Sequence, residues 1–434
     1  MSDFRFGCAA ADITPPVGIH MGGYWGRRSG AIDIHDRLMA KVLVCGCGEE
    51  KIAIIAVDLV GLDADAVREI RTGVTRRSGI PGAAVMICAS HTHAGPLTIP
   101  FRGMGEIDTN YLQEVKNELV ELVGTAVAKM RTGQLRYARP EVQIGLNRRQ
   151  QRRTSAEEEQ QGGVVPYAHV LRFEADDGAG VTLFSHACHP VVLGGDNHRI
   201  SGDFAGAAAR FVEGATGDMA LFVNGACGDI NPRITGGSVA DVDALGRELG
   251  LAVLAGIADA KTMAVASLNY GQERVNLPLI APPTRLRAEV EKLVLHFKAE
   301  LASRGDPWAR RVPFARLEWA KAMLERAKSD RRRGQEQAFE IQVLGLGEIA
   351  LLGLEGEIFA RYQLDLEAEC GAVALFGFAN GCIGYVPTAD EYPQGGYEVD
   401  DAYKVYPSVQ MISPASEQLI RDRAVGLVAR VRAH

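Results

Sequence analysis

The sequence predicts an α/β fold in which mixed sheets are flanked by helices. Apolar, strand-like segments alternate with amphipathic, helix-like segments through the first half of the 434-residue chain. Further apolar segments at 180–190 and 218–229 end in polar loops that are rich in histidine or glycine. A strand-like stretch returns at 338–357 after a helical region, and a helix from Pro414 closes the chain.

Turn and capping residues set the bounds of the elements in the first half. A short Gly-Glu-Glu turn joins the first two strands, and an aspartate-rich cap starts the helix that stops before Gly79. The predicted elements are strands at 38–47, 51–62 and 83–90 and helices at 63–78 and 108–131. Where continuously apolar strands follow one another in strand–helix–strand order, we expect parallel pairing with both faces buried.

Residues 284–332 are expected to form a helical hairpin inserted between sheet segments. Apolar residues recur at steps of three or four in the first helix, at Leu286, Val290, Leu293, Phe297 and Leu301. The second helix, about 307–332, ends in an arginine run that complements the negative end of a helix. The hairpin is a candidate lid or a contact in a homo-oligomer.

Composition and charge argue against several classes of partner. The chain is 47% hydrophobic and 23% charged, as in ordinary globular proteins, and its net charge of -7 disfavours nucleic acid and anionic membranes. No apolar run is long enough to span a membrane, and no signal peptide is visible at the N-terminus. The eight cysteines are scattered, and Cys45-Gly-Cys47 lacks a second pair, so we expect reduced thiols and a cytoplasmic protein.

Histidine placement indicates a metal site. In ICASHTHAGP (87–96), His91 and His93 are two residues apart, so both should project from one side of an extended strand end. His189 follows another predicted strand, and ligands bind where the carboxyl ends of strands converge. Two such histidines plus a carboxylate would supply the ligands of a catalytic zinc. The alternative for His91 is a hydrogen-bonded core histidine.

Several longer motifs occur in a particular order along the chain. They are ADITPPVGIHMGGY, SHTHAGP, SHACHP, SGDFAG, NGACGDINPR, LEGE and the pair Tyr385 and Tyr397. This order resembles the neutral/alkaline ceramidases over nearly the whole chain, and SHTH-x-GP followed by GD-x-x-P is a specific combination. The resemblance implies a single catalytic domain over residues 1–434 that holds one zinc ion and hydrolyses an N-acyl amide.

The resemblance also implies roles for individual residues. His93 matches a histidine that does not bind the metal, and Tyr397 matches a second tyrosine lining the site. The implied metal ligands are His91, His189, Glu357 and Tyr385. We expect His93, Tyr397 and Asn231 to act in catalysis and Asn147, Arg148, Gly228 and Asp229 to bind the substrate.

Two departures from the family pattern change the expected substrate. The family has a serine where this chain has Asn231 in GDINPR. An amide cannot attack a carbonyl as an alkoxide can, but its NH₂ can donate to an oxyanion or to a polar substrate group. We also expect no counterpart of the C-terminal immunoglobulin-like module of larger ceramidases. We therefore expect a small polar substrate rather than ceramide in a membrane.

Alternatives exist for several of these residues. Glu355 competes with Glu357, although Gly356 would let the backbone bend and aim Glu357 inward. Tyr385 has the alternative of a core aromatic, and Asp58 and Asp203 are expected to orient histidines. The remaining alternatives are structural or rim roles for His186 and His198, a thiol nucleophile at Cys227, a phosphate cradle in NGACGD, and an anion clamp at Arg148, Arg149, Arg152 and Arg153.

Together the residues predict a cytoplasmic zinc hydrolase that cleaves an amide-type C–N bond in a small polar molecule. A metal-dependent lactonase, esterase or lyase is one alternative, because zinc and histidines do not determine the bond cleaved. A binding protein that keeps the metal pocket without catalysis is another. Iron or manganese could occupy a site of histidines and a carboxylate nearly as well as zinc.

Overall fold

The computed structural model describes residues 4–150, 163–280, 286–306, 309–328, 336–408 and 410–433. The strands in chain order are β1 (Phe4–Asp12), β2 (Asp33–Ile34), β3 (Met39–Cys47), β4 (Glu50–Val57), β5 (Val85–Ala89), β6 (Arg131–Ala138), β7 (Gly145–Asn147), β8 (His169–Ala175), β9 (Gly180–His186), β10 (Arg199–Ile200), β11 (Met219–Asn224), β12 (Ile230–Pro232), β13 (Lys261–Met263), β14 (Leu268–Pro278), β15 (Glu336–Leu346), β16 (Ile349–Leu354), β17 (Glu357–Ile358), β18 (Val373–Phe376) and β19 (Tyr385–Val386). The helices are α1 (Ala64–Ser78), α2 (Thr109–Ala128), α3 (Asp203–Thr216), α4 (Val239–Asp259), α5 (Leu286–Ser303), α6 (Arg311–Lys328), α7 (Ala360–Cys370) and α8 (Ser416–Arg432).

The largest sheet has nine strands, in the order β11-β9-β8-β6-β1-β3-β4-β5, with β13 also paired to β6. Within this sheet, the β4–β5 and β9–β11 pairs are the only parallel ones that the described residues form, and helices α1 and α3 lie between those strands in the chain. Parallel pairing is therefore confirmed where a helix separates two strands along the chain, and the other described pairs of this sheet are antiparallel. Short turns such as the one between β3 and β4 close antiparallel pairs, whereas a parallel pair needs a long crossover.

A second, four-stranded sheet has the order β14-β15-β16-β18. The predicted stretch at 338–357 is a hairpin of β15 and β16 that turns at Gly347, where φ is +60°, and it is followed by β17. The two sheets share one apolar core, and an isolated bridge joins Cys88 at the end of β5 to Ala379 after β18. The prediction of mixed sheets flanked by helices is confirmed.

Helix starts and stops agree with the capping residues. The Asp63 side chain accepts a hydrogen bond from the Ala66 N–H at 2.8 Å, and Gly79 ends α1 in the left-handed conformation with φ of 76°. Asp108 caps α2 in the same way through the N–H groups of Asn110 and Tyr111. No helix in the described parts of the chain is long and apolar enough to cross a membrane.

The helical hairpin consists of α5 and α6, and it lies between two paired strands. The β14–β15 ladder extends to Pro278 opposite Glu336, so the hairpin is an insertion at the end of this ladder. It has its own small apolar cluster, which includes Val290, Phe297 and Trp319. Residues 284, 285 and 329–332 of the predicted span, and the expected start at Pro307, lie outside the described residues.

Candidate metal centre and active site

His91 lies just beyond the end of β5, with only 1% of its surface exposed. Its backbone is left-handed, with φ of 65°, and its ring stacks on Phe378 at 4.0 Å. The Nδ1–H group lies 2.6 Å from the Val60 carbonyl oxygen and donates to it. The Nε2 lone pair is consequently free to act as a ligand.

His189 follows β9 and is fully buried. Its Nδ1 lies 2.6 Å from the Cys227 carbonyl oxygen and 3.1 Å from the Ile230 carbonyl oxygen, so main-chain acceptors again set the tautomer. The expectation that Asp58 and Asp203 orient histidines is wrong. Asp58 accepts from the Met39 N–H, and Asp203 from the N–H groups of Val192, Leu193 and Phe204.

Glu357 begins β17, directly after Gly356, whose φ of 111° is open to glycine but strained for other residues. Its Oε2 lies 3.0 Å from Nε2 of His189 and 3.6 Å from Nε2 of His91. Burial alone would raise the pKa of the Glu357 carboxyl, but the two histidines outweigh burial and lower the pKa well below its ordinary value.

Glu355 lies two residues before Glu357 and faces a different neighbourhood. Its Oε2 accepts from the Glu340 N–H at 2.9 Å, and burial raises the pKa of its carboxyl to about 8. Of the two glutamates, only Glu357 has a recorded contact with the histidines.

His93 faces the same point as His91, with its Nε2 3.0 Å from Nε2 of His91. The candidate ligand atoms of His91, His93 and His189 lie within 4.8 Å of one another. Because β5 ends at Ala89, a turn and not the alternation of a strand brings the two SHTH histidines together. Burial, with His91 and His189 nearby, lowers the pKa of His93 well below its ordinary value.

The donor set fits a divalent metal ion. His91 and His189 each have Nδ1 engaged by a carbonyl, so both present Nε2 as an unprotonated ligand beside the Glu357 carboxylate. Neutral imidazoles with one carboxylate are ligands that zinc prefers. His93 completes the cluster, and its Nδ1 is buried without a hydrogen-bond partner among the described residues.

Tyr385 pairs with Glu357 in the parallel β17–β19 ladder, which places both residues at one edge of the site. Its hydroxyl accepts a hydrogen bond from Nη2 of Arg148 at 3.0 Å, and its ring lies 5.9 Å from that of Tyr397. Burial raises the pKa of the Tyr385 hydroxyl well above its ordinary value, with Arg148 acting against that shift. Tyr397 is 38% exposed and forms the outer side of this pair.

Arg148 connects Tyr385 to Asn231 and Gly228. Its Nη1 donates to Oδ1 of Asn231 at 3.0 Å, and its Nη2 donates to the Gly228 carbonyl at 2.7 Å. Glu398 accepts from its Nε at 2.8 Å. Since Oδ1 of Asn231 is occupied, the amide NH₂ is left to donate elsewhere, and it has no partner among the described residues.

Asn147 and Asp229 lie beneath this layer, each with 2% of its surface exposed. Nδ2 of Asn147 donates to Asp229 at 2.7 Å, and the other oxygen of Asp229 accepts from the Ala360 N–H at 2.8 Å. A Cβ at Gly228 would lie 2.4 Å from the Glu357 carbonyl oxygen, so only glycine fits. Direct substrate contact by these three residues stays a prediction.

The arginine cluster is not an open anion clamp where it is described. Arg149 donates to Glu391 and Glu398, each at 2.7 Å, and is 6% exposed. Two buried carboxylates thus neutralise Arg148 and Arg149. Arg152 and Arg153 lie outside the described residues.

The glycine-rich NGACGD segment holds the site together through its backbone. The N–H groups of Gly225, Ala226 and Gly228 donate to protein oxygens, so these three are not available as a phosphate cradle. Burial raises the pKa of the Cys227 thiol well above its ordinary value, which disfavours a thiolate nucleophile. Its carbonyl, not its sulfur, contacts His189.

Three site residues were not identified from sequence: Tyr24, Phe378 and Tyr406. The Tyr406 hydroxyl donates to Oε1 of Glu357, and Phe378 stacks on His91. Neither residue lies in a sequence motif that indicates a chemical role. Tyr24 ends the ADITPPVGIHMGGY motif, and that motif is one of those that carry the family resemblance. Nothing in the motif indicates which of its side chains reaches the site.

Comparison with known proteins identifies a matching family model and solved structures with a similar fold. Residues 4–247 match the family model described as neutral/alkaline non-lysosomal ceramidase, N-terminal. The neutral ceramidase from Pseudomonas aeruginosa is similar in structure, with a TM-score of 0.73 and 20% identity over 99% of this chain and 75% of that chain. A ceramidase complexed with C2 has a TM-score of 0.76 and 17% identity over 100% of this chain and 76% of that chain. A search of curated proteins gave no significant match.

Proposed function

Since this chain belongs to the neutral/alkaline non-lysosomal ceramidase family, we propose that it is a metal-dependent hydrolase of an amide-type C–N bond. The observation that carries the proposal is the convergence of the His91 and His189 Nε2 atoms on the Glu357 carboxylate. These residues, with Tyr385 beside them, would hold one zinc ion per chain. When bound, the metal would supply Lewis acidity at the scissile carbonyl and an activated water.

His93 is the proton-transfer group of the proposal. Its side chain faces the ligand cluster but is neutral at physiological pH, because burial lowers its pKa. A neutral imidazole can take a proton from the attacking water and later give one to the leaving nitrogen. Amide hydrolysis needs that second transfer, since an amine leaves far more readily than its anion.

Asn231 and Arg148 stabilise and position the substrate in this proposal. The free NH₂ of Asn231 donates to the carbonyl oxygen as negative charge develops there. Arg148 keeps the Asn231 amide in that orientation through the 3.0 Å bond to Oδ1. Tyr397, which is partly exposed, adds a further polar group at the outer side of the site.

The proposed substrate is a small polar N-acyl compound rather than ceramide. Support comes from the polar groups around the ligand cluster: Arg148, Asn231, Tyr385 and Tyr397. We propose the cytoplasm as the compartment, and the eight cysteines, all described, are free, as a reducing environment would allow.

Elemental analysis of the purified protein and three variants tests the metal site. We expect about one zinc per chain in the wild type, loss of metal and activity in His91→Ala, and retained metal without turnover in His93→Ala. The control is His198→Ala, whose ring bonds Ser29 on the exposed rim and should change neither quantity. Retention of full metal by His91→Ala would refute the ligand assignment.

Matched amide, ester and lactone substrates then identify the bond that is cleaved. Preferential turnover of amides supports the proposal, whereas turnover of esters or lactones alone would replace it by the corresponding hydrolase. A protein that binds metal and ligands but turns over none of these substrates would be a binding protein.

A further inference from the structure

The segment at residues 404–408, KVYPS in sequence, reaches the candidate centre through one side chain. This side chain is Tyr406, whose hydroxyl donates to Oε1 of Glu357. The other carboxylate oxygen, Oε2, faces His91 and His189. A hydrogen bond to one oxygen of a ligating carboxylate fixes the direction of the other, so the position of Tyr406 bears directly on the ligand set.

The 404–408 segment has little regular structure of its own. A short 3₁₀ turn, Ala402–Lys404, precedes it and ends at Lys404. The carbonyl groups of Tyr406, Pro407 and Ser408 accept no backbone N–H among the described residues. Carbonyl groups that are not paired in a helix or a sheet need other donors. The conformation of the segment therefore depends on groups from elsewhere in the chain.

Arg102 supplies those donors, since it bonds all five carbonyl groups of the segment. Its backbone N–H donates to the Val405 carbonyl at 2.8 Å. Its half-buried guanidinium donates to the other four, the carbonyl groups of Lys404, Tyr406, Pro407 and Ser408. One arginine thus gathers the main chain on both sides of Tyr406.

The ring of Tyr406 is held separately from its main chain. Phe101, next to Arg102 in sequence, packs edge-on against this ring with centres 4.9 Å apart. A Cβ at Gly384 would lie 3.0 Å from the ring, so the backbone before Tyr385 also approaches it closely. Two consecutive residues, Phe101 and Arg102, consequently hold the ring and the main chain of the same tyrosine.

We propose that Arg102 is a positioning residue of the metal centre. It keeps residues 404–408 in the conformation in which the Tyr406 hydroxyl reaches Oε1 of Glu357, so that Oε2 stays directed at the two histidines. Among the described contacts none joins Arg102 to Glu357, and the arginine acts through Tyr406. The inference rests on the metal site of the proposed function and is independent of the bond that is cleaved.

The zinc affinity of Arg102→Lys tests this role. Lysine keeps the charge, but its single nitrogen cannot replace both terminal guanidinium nitrogens and bond four carbonyl groups. We expect the zinc Kd of the full chain, measured by competition with a chromogenic chelator, to rise about tenfold. Adding Arg102→Lys to Tyr406→Phe should raise the Kd by less than about twofold further, because both changes remove the same hydrogen bond to Glu357.

Arg432→Lys is the matched control, because Arg432 also donates to main-chain carbonyl groups, those of Cys370 and Ala372. It should keep the zinc affinity of the wild type. Wild-type affinity in Arg102→Lys, or an undiminished further loss in the double variant, would overturn the role of Arg102 and leave the metal site intact.

A second variant makes the test independent of one substitution. Arg102→Gln retains an NH₂ donor but loses the charge and most of the bonds, and it should weaken zinc binding to a similar extent. Urea unfolding after chelation checks that each variant is folded before its affinity is compared. A wild type that binds no zinc would refute the proposed function, and the inference about Arg102 with it.

Discussion

His91 and His189 are oriented by main-chain carbonyls. Val60 accepts from His91, and Cys227 and Ile230 accept from His189, so each ring is tied to a neighbouring loop and not to an acidic side chain. A carbonyl acceptor adds no negative charge, and Glu357 is the one carboxylate of the described residues that contacts both rings. Glu357 consequently determines the charge of the ligand set.

Tyr406 should strengthen metal binding through Glu357. It is 3% exposed, its hydroxyl donates to Oε1 of Glu357, and its ring packs edge-on against Phe101 at 4.9 Å. Tyr406→Phe keeps the packing but frees that oxygen, so we expect metal affinity to fall about tenfold. Competition with a chromogenic chelator measures the change.

Tyr111→Phe is the matched control, because this buried tyrosine also uses its hydroxyl, here on the Ile13 carbonyl at 2.6 Å. Both variants lose one buried hydrogen bond, but only Tyr406→Phe should weaken metal binding. Equal metal affinity in the two variants would show that Tyr406 has no part in orienting Glu357.

His186 should make stability sensitive to acid. Its Nδ1 bonds the Tyr167 carbonyl, its Nε2 is buried without a partner among the described residues, and burial lowers its pKa from 6.5 to about 4. The unfolded chain takes up this proton as the pH falls below 6.5, while the folded chain does not until about 4. The low pKa of His186 therefore contributes its full share of the unfolding free energy above pH 6.5. That share, roughly 3 kcal/mol, is lost as the pH falls towards 4.

Urea unfolding of the wild type and His186→Asn between pH 7 and pH 4.5 measures this effect. Asparagine keeps an N–H donor for Tyr167 but does not titrate in this range. The stability difference between the two proteins should shift in favour of the variant as the pH falls. A difference that is independent of pH would show that His186 has the same pKa in the folded protein as in the unfolded chain.

Helices whose ends are marked by capping residues could be predicted from the sequence. The pairing of the strands could not. The bounds of α1 and α2 follow from Asp63, Gly79 and Asp108, because caps act within one turn. Strand direction depends on which distant strand lies adjacent, as with β1, which separates β6 from β3. The turn that brings His91 and His93 together requires a left-handed His91, a conformation that its sequence gives no reason to expect.

The same division applies to the candidate site. His91, His189 and Glu357 lie in motifs next to strand ends, and the fold brings them together. Phe378 and Tyr406 come from the second half of the chain and contact His91 and Glu357 in the folded protein. They could not be predicted, because a single sequence does not show which distant residues pack together.

The helical hairpin of α5 and α6 should be removable without loss of the fold. It buries its own apolar cluster, and the paired ends of β14 and β15 could be joined by a short turn. Its contacts with the rest of the protein include Arg311, which donates to the Arg27 carbonyl at 2.8 Å, and Trp319, which packs against Tyr403 and Lys404. Those segments lie close in sequence to Tyr24 and Tyr397.

Replacing residues 281–335 with a short glycine-rich turn tests this. We expect full metal content, a melting temperature shifted by no more than about 4 °C, and a higher KM with a smaller change in kcat. Tyr403→Ala, which cuts the contact from the other side, should raise KM in the same direction. Loss of metal in the deletion variant would show that the hairpin supports the centre itself.

In the whole molecule, the candidate centre joins two parts of the chain. The ceramidase family model covers residues 4–247, which contain His91 and His189. Glu357 and Tyr385 come from the later part, where β17 and β19 pair. A metal held by both parts would link them, since separating them in unfolding would remove at least one ligand.

Metal binding should therefore stabilise the entire protein and not only one loop. A ligand that binds the folded state alone adds about 4 kcal/mol to the unfolding free energy at a free concentration 1,000 times its Kd. We expect chelation to lower the unfolding midpoint in urea for the wild type and for His198→Ala. His91→Ala should be insensitive to chelation, because it has already lost the metal. Hydrogen exchange should show protection by metal around both His189 and Tyr385, and protection confined to the first part would mean that Glu357 and Tyr385 do not hold the ion.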